Sequence, residues 1–186
     1  MKRLFDIIFS IFILIVTLPL IILAAFAIKI DSKGAIFFNS TRVGQKDKDF
    51  IMFKLRTMYD GTELVESSKI KDTDKKITTV GRILRKYSID ELPQFISVII
   101  GDMSIVGPRP ALRAQKKIIM ERTKLGINLI KPGITGLAQI NGRDEITESQ
   151  KIKLDYEYLK KHNFLFDIMI IFKTIFLTLK GKNISH

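Results

Sequence analysis

Residues 4 to 28, "LFDIIFSIFILIVTLPLIILAAFAI", are nearly all apolar, and this run decides how the rest of the chain can be arranged. As a helix, at about 1.5 Å per residue, the run would be about 37 Å long, whereas the hydrocarbon core of a bilayer is about 30 Å thick. A spanning helix therefore fits. The alternative is a signal peptide with "AFA" at 25 to 27 as its cleavage-like site, but the run is long for such a segment and Asp6 interrupts its start.

Pro19 lies inside the run and predicts a break in the helix. Proline has no N–H, so the carbonyl of Ile15 loses its helical partner, and the Thr17 hydroxyl is well placed to supply a local hydrogen bond. The two arms would be about 24 and 16 Å long, and each is too short to cross a bilayer. We therefore expect a re-entrant helix that dips into the membrane and returns to the same face.

Basic residues at both ends of the run support re-entry over a simple span. Lys2 and Arg3 precede it, and Lys29, Lys33 and Arg42 follow it. Such residues favour the cytoplasmic side of a membrane, and a spanning helix satisfies only one of its two ends. We expect residues 1 to 30 to form the membrane segment and residues 31 to 186 to form a compact domain on the cytoplasmic face.

Composition narrows the range of partners and chemistries. The 186 residues suit one domain, the formal net charge of +12 calls for an anionic partner, and the lack of cysteine excludes disulfides and thiolate metal sites. Two histidines, His162 and His186, make a histidine-bound metal or a histidine base a poor expectation. No tryptophan and no nucleic-acid-binding motif is present, so we expect no nucleic acid partner and assign the charge to membrane lipids or a phosphorylated substrate.

The remaining patterns predict a helix-dominated α+β fold. Residues 35 to 55 contain two β-rich runs around a polar turn at 44 to 49, which indicates a small hairpin. A polar surface loop is expected at 60 to 78, followed by helices at 80 to 88 and 89 to 100. The apolar segment 164 to 179 carries Asp167, Thr174 and Thr178 on one helical face, which favours an amphipathic helix in the membrane interface, with a buried core helix as the alternative.

The stretch "SIDELPQF" at 88 to 95 places two adjacent carboxylates, Asp90 and Glu91, ahead of an apolar run. Ser88 and Glu91 have the spacing of a capping box that would open a helix. A helix N-terminus would also favour an incoming phosphate, and an aspartate can act as a nucleophile toward phosphorus. The capping and chemical interpretations share one geometry, so neither excludes the other.

Three arginines are candidates for holding phosphate groups, because a guanidinium binds phosphate oxygens in a two-pronged manner. Arg85 precedes the acid pair, and Arg109 and Arg143 lie in Gly/Pro-rich turns. Mg²⁺ would be a natural addition, since one or two carboxylates commonly hold it on substrate phosphates. The alternative for each arginine is a solvated surface charge.

Seven motifs, in order, resemble those of the bacterial sugar transferase family, the small monotopic phosphoglycosyl transferases. They are "KRLFD" (2 to 6), "RVG" (42 to 44), "FKLRTM" (53 to 58), "GRILRKYSIDELPQ" (81 to 94), "GDMSIVGPRP" (101 to 110), "KPGITGLAQINGR" (131 to 143) and "LDYEY" (154 to 158). Several long motifs in the right order are far more specific than any single one.

The resemblance implies transfer of a sugar 1-phosphate from a UDP-sugar to a polyprenol phosphate such as undecaprenyl phosphate, with release of UMP and with Mg²⁺ as cofactor. Asp90 would form a covalent phospho-sugar intermediate, and Glu91 would complete an acidic dyad that also binds the metal. Arg85, Arg109 and Arg143 would hold phosphates or uridine. The family further implies the bacterial inner membrane, with the catalytic domain on the cytoplasmic face. A homo-oligomer is left open.

A second class of function uses the same charges without chemistry. A membrane-anchored module could bind anionic lipid or a partner protein through its basic face. This alternative makes no use of Asp90, whereas the transferase requires it.

Overall fold

The computed structural model describes residues 1–62, 73–142 and 146–180. Most of the loop expected at 60 to 78 lies outside these ranges. In its described part, residues Thr73–Lys76 form a short helix (α2), and an isolated bridge pairs Met58 with Ile77.

The first helix, α1, runs from Lys2 to Asp31 with Pro19 inside it. The predicted break at Pro19 is therefore not confirmed, because the backbone is helical both before and after the proline. The Thr17 hydroxyl donates to the carbonyl of Ile13 at 2.7 Å, one turn back, rather than to that of Ile15. Among the described helices, α1 alone has the length and apolar composition needed to cross a bilayer.

Both ends of α1 contact the rest of the molecule. Near the N-terminus, Asp6 accepts a hydrogen bond from the Ser104 hydroxyl at 2.8 Å. Near the C-terminus, Ala24 and Ile28 pack in a small apolar cluster with Leu55 and Leu84. The middle of the helix presents exposed apolar side chains, among them Phe12, Ile15, Leu18 and Leu23.

The predicted hairpin is confirmed. Strands β1 (Phe37–Val43) and β2 (Asp49–Leu55) pair antiparallel with Ser40 opposite Met52. A 3₁₀ turn at Gln45–Asp47 connects them. Phe50 and Met52 of β2 are buried, and Lys54, two residues further on, lies on the same face of the strand, which directs its side chain inward.

Two helices and a 3₁₀ turn carry the chain toward the core. Helix α3 (Thr79–Lys86) begins where Thr78 accepts a hydrogen bond from the Gly81 amide at 2.9 Å. The 3₁₀ turn Ile89–Glu91 and helix α4 (Gln94–Ile100) follow. The predicted helix at 80 to 88 is confirmed, whereas the stretch 89 to 100 is divided at Leu92–Pro93.

The two Gly/Pro-rich motifs contain short strands that their composition did not predict. Strands β3 (Ser104–Val106) and β4 (Gly133–Thr135) pair in parallel. Between them lie helix α5 (Lys116–Lys124) and a 3₁₀ turn at Ile127–Leu129. Close backbone contact explains Gly133, where a Cβ would lie 2.1 Å from the Gly107 nitrogen.

Three helices complete the fold: α6 (Leu137–Ile140), α7 (Glu148–Lys161) and α8 (Phe164–Leu179). One face of α8 buries Ile170 and Ile171 in the main core, and the other exposes Phe172 and Phe176. The buried face agrees with the core-helix alternative for segment 164 to 179, and the membrane-interface interpretation of the exposed face stays a prediction. Over the described residues, the result is a helix-dominated α+β fold with two small two-stranded sheets.

Candidate active site

Asp90 and Glu91 lie in the 3₁₀ turn Ile89–Glu91 and are buried, with 6% and 7% of their surfaces exposed. Ser88 takes up a left-handed backbone conformation (φ 53°), and its side chain makes no capping hydrogen bond. The predicted capping box is therefore wrong. The left-handed residue turns the chain sharply, so the Glu91 side chain points away from Ser88 toward other segments of the molecule.

Two cations from distant segments meet the acid pair. Lys54 Nζ on β2 lies 2.8 Å from Glu91 Oε1 and 3.6 Å from Asp90 Oδ2. Arg109 Nη2 lies 2.9 Å from the same Glu91 oxygen. Buried charges require such partners, and removing one partner of a buried pair typically costs about 3–5 kcal/mol. The turn, the hairpin and the 107–110 loop therefore meet at one charged site.

Arg42 adds a third cation near this site. Its Nε donates to the Ser40 hydroxyl at 3.2 Å. Burial, and then repulsion from Arg109, lower the pKa of Arg42 to about 10, while attraction to Glu91 opposes the change. Three cations thus act on two carboxylates, which leaves an excess of positive charge suited to an anionic ligand.

The backbone that carries Arg109 is itself held in place. Arg122 on α5 donates to the Arg109 carbonyl at 2.8 Å through Nη1. The same guanidinium binds Asp155 on α7, with Nη2 2.6 Å and Nε 3.0 Å from Asp155 Oδ2. Burial raises the pKa of Asp155, and Arg122 opposes that rise. The Arg122–Asp155 ion pair therefore positions the loop that carries Arg109, whose side chain contacts Glu91.

Of the three predicted arginines, the structure brings Arg109 to the acid pair. Arg85 occupies the last turn of α3, a helix that contacts the 3₁₀ turn of the acids. Arg143 lies outside the described residues. Lys54, Arg122 and Asp155 were not among the predicted site residues. Lys54 and Asp155 lie within the motifs "FKLRTM" and "LDYEY". Their place in these motifs was the sequence feature that could have identified them as site residues.

Comparison with known proteins identifies the family. The family model described as bacterial sugar transferase matches residues 1–181. The chain belongs to the bacterial sugar transferase family. It is 37% identical to the uncharacterized sugar transferase EpsL of Bacillus subtilis, over 100% of this chain and 91% of that protein.

Longer relatives in the bacterial sugar transferase family carry more specific names. The undecaprenyl-phosphate glucose phosphotransferase of Komagataeibacter xylinus is 40% identical over 94% of this chain and 35% of its own length. The UDP-glucose:undecaprenyl-phosphate glucose-1-phosphate transferase of Escherichia coli is 39% identical over 95% of this chain and 39% of its own. This chain thus spans little more than a third of these two relatives.

Proposed function

We propose that this chain transfers a sugar 1-phosphate from a UDP-sugar to a polyprenol phosphate such as undecaprenyl phosphate and releases UMP. The observation that carries the proposal is the buried Asp90–Glu91 pair, met by Lys54 and Arg109. Membership of the bacterial sugar transferase family supports it, since named relatives act on undecaprenyl phosphate and one of them on UDP-glucose.

The reaction proceeds in two displacements at one phosphorus atom. First, a carboxylate oxygen of Asp90 attacks the phosphorus that bears the sugar, and the bond from that phosphorus to the UMP oxygen breaks. UMP departs with the electron pair. Next, a phosphate oxygen of the lipid attacks the same phosphorus, the bond to Asp90 breaks and the carboxylate is regenerated. Atoms and charge balance without an external oxidant or reductant.

Glu91 and the cations prepare the site for the donor diphosphate. Glu91 Oε1 binds both Lys54 and Arg109 and so fixes two positive charges beside Asp90. Charges held in place before substrate arrives need no reorganisation during reaction, which is the main source of electrostatic catalysis. Arg85 and Arg143 complete the proposed phosphate and uridine contacts.

Mg²⁺ fits the donor set of the site. In phosphate-transfer sites one or two carboxylates hold this cation together with substrate phosphate oxygens, and Asp90 and Glu91 supply such a pair. Over the described ranges, no three His, Asp or Glu side chains cluster, so binding is expected to need the donor diphosphate as well. When bound, Mg²⁺ would neutralise negative charge on that diphosphate.

The membrane arrangement that we propose is re-entrant, with both ends of α1 on the cytoplasmic side. A straight 30-residue helix is about 45 Å long, and a spanning one would hold its two ends on opposite faces of the bilayer. Here Asp6 and Ile28, near opposite ends, both contact the domain formed by residues after 31. Lys2 and Arg3 keep the topological role that the sequence predicts, whereas α1 is continuous through Pro19 and a break there stays a prediction.

The test is to detect the covalent intermediate. Purified protein is incubated with a panel of UDP-sugars and no lipid acceptor, and its intact mass is measured. We expect an added phospho-sugar mass in the wild type and none in Asp90→Asn, with UMP release lost in the variant. Asp49→Asn, an exposed acid on β2, serves as the matched control and should form the adduct.

Normal turnover by Asp90→Asn would overturn the aspartyl mechanism. Failure of every UDP-sugar to yield UMP with undecaprenyl phosphate, in folded and membrane-reconstituted protein, would favour the non-catalytic membrane-anchored module.

A further inference from the structure

A second charged region lies apart from the acid pair, at the start of α1. A cleft of about 390 Å³ opens there, lined by Lys2, Arg3, Asp6, Lys131, Tyr158 and His162 among others. The side chains of the proposed active site, Asp90, Glu91, Lys54 and Arg109, do not line it. The cleft is therefore separate from the side chains to which the proposed reaction assigns its chemistry.

Two cations of the cleft are fixed by the protein. Lys2 Nζ donates to Asp167 and to the Val106 carbonyl. The Arg3 guanidinium donates to the carbonyls of Val98 and Ile99, near the end of α4. Both side chains are held at the wall of the cleft. Binding a ligand therefore costs less side-chain conformational entropy than it would if they were mobile in solvent.

Lys131 is the cation without such a partner. Within the described residues its Nζ makes no hydrogen bond or ion pair. A Cβ at Gly101 would lie 3.3 Å from Arg3 Nη2 and 3.7 Å from Lys131 Nζ, so the two cationic groups face each other across that glycine. Burial, and then Arg3, lower the pKa of Lys131, while Asp6 and Asp102 oppose the change.

The acid in the cleft does not remove this excess charge. Asp6 Oδ2 accepts from the Ser104 hydroxyl at 2.8 Å, and Oδ1 accepts from the Ile105 amide at 3.4 Å. An anionic group between Lys131 and Arg3 would satisfy the free ammonium donors and relieve the repulsion of two neighbouring cations. Phosphate oxygens suit both side chains.

Apolar side chains adjoin these cations. Leu4 follows Arg3 and is 64% exposed, and Ile100, beside the Ile99 carbonyl that binds Arg3, is 62% exposed. At the start of α8, Leu165 is 78% exposed, next to Phe164, which packs edge-on against Phe5 of α1. The site thus combines a cationic cleft with exposed apolar side chains, a pairing that suits a phospholipid.

We propose that the cleft binds the headgroup of an anionic glycerophospholipid of the bilayer, with its phosphate between Lys131 and Arg3. The acyl chains lie toward Leu4 and Leu165. A zwitterionic choline headgroup brings its own cation into a cationic cleft and binds less well. One lipid held here fixes the depth of the α1 N-terminus in the membrane, independently of the sugar transfer reaction.

Amine acylation tests the proposal at a single residue. The full chain is placed in nanodiscs of phosphatidylcholine, with or without phosphatidylglycerol, and treated with a membrane-impermeant acetylating reagent. Mass spectrometry then gives the acylation rate of each lysine. We expect phosphatidylglycerol to slow the acylation of Lys131 roughly tenfold, as a site occupied about nine-tenths of the time would. Lys153, exposed on α7, reports general surface attraction and should change little.

Further conditions of the same experiment distinguish the possible phosphate ligands of the cleft. Equal slowing of Lys131 and Lys153 would overturn the proposal, because it would show non-specific attraction to the membrane. Protection in detergent by inorganic phosphate or glycerol 3-phosphate alone would assign the cleft to a soluble ligand. Protection by undecaprenyl phosphate but not by phosphatidylglycerol would assign it to the lipid acceptor.

Native mass spectrometry of protein released from the same nanodiscs provides a second measurement. Lys131→Gln should retain one phosphatidylglycerol fewer than the wild type, and Lys153→Gln should retain the wild-type number. Equal retention by all three proteins would contradict a built site. Because neither variant touches the acid pair, loss of sugar transfer in Asp90→Asn tests the proposed function separately.

Discussion

Two buried ion pairs share the centre of this molecule, and they differ in how open their cations are. At the acid pair, Glu91 binds Arg109, whose side chain is 33% exposed, together with Lys54. At the second pair, Asp155 binds Arg122, whose side chain is 13% exposed and whose remaining bond goes to the Arg109 carbonyl. Arg109 is exposed enough to bind a ligand, whereas Arg122 is enclosed and serves the fold. Lys54 is 15% exposed and acts through its charge on the two acids.

The contrast assigns different roles to similar chemistry. The open pair has two adjacent carboxylates and an excess of cations, so it suits the exchange of one anion for another. The closed pair has one carboxylate, and a single guanidinium pairs with it. We therefore expect changes at the open pair to alter activity, and changes at the closed pair to alter stability first.

Removing divalent cations should have the largest effect and should act on the open pair alone. We expect excess chelator to abolish UMP release and added Mg²⁺ to restore it, because the donor diphosphate would otherwise meet two carboxylates without neutralisation. The melting temperature should stay constant, since Lys54 and Arg109 already partner the acids. Full turnover in chelator would rule out the metal.

Breaking the closed pair should produce the next largest effect. Asp155→Ala leaves the Arg122 charge buried without its partner, which is expected to cost about 3–5 kcal/mol of the free energy of unfolding. Denaturant unfolding in detergent measures this.

Glu157→Gln is the matched control for Asp155→Ala, since Glu157 on the same helix pairs with Lys161 at the surface. We expect a change of at most about 0.5 kcal/mol. Equal stability losses in the two variants would contradict the distinction between enclosed and exposed pairs.

Replacing the shared cation of the open pair should lower the rate of the reaction, while Arg109 still partners Glu91. Lys54→Met keeps the length of the side chain but removes the charge that lies between Asp90 and Glu91. We expect kcat/KM for the UDP-sugar to fall roughly 100-fold, about 2.7 kcal/mol of transition-state stabilisation. Lys48→Met, exposed at the hairpin turn, should retain wild-type kinetics; equal losses in both would indicate a general charge effect.

The smallest expected effect concerns the topology of α1. Pro19→Leu restores an N–H to the middle of the helix and should shift part of the population toward a spanning form, which the basic flanks oppose. The natural chain has no cysteine, so one cysteine inserted after Met1 and another at Lys153 can be labelled with an impermeant thiol reagent.

For the wild type, we expect both cysteines to be protected in intact cells and labelled after lysis. Labelling of the cysteine after Met1 in intact wild-type cells would show a spanning helix and would refute re-entry.

Local patterns in the sequence determined the apolar α1, the β1–β2 hairpin, helix α3 and the choice of Asp90 and Glu91. Each depends on a short run of residues: continuous apolarity, alternation around a turn, or two acids in a motif. The family resemblance came from several such runs in order, and the family model over residues 1–181 confirms it.

Tertiary structure alone decided what surrounds the acids. Lys54 and Arg109 are 37 and 18 positions from Glu91, and Asp155 is 33 positions from Arg122. The left-handed Ser88, which replaces the predicted cap, and the parallel pairing of β3 with β4 depend on the same packing. No local spacing encodes these contacts, because a buried charge selects its partner only after distant segments have come together and excluded water.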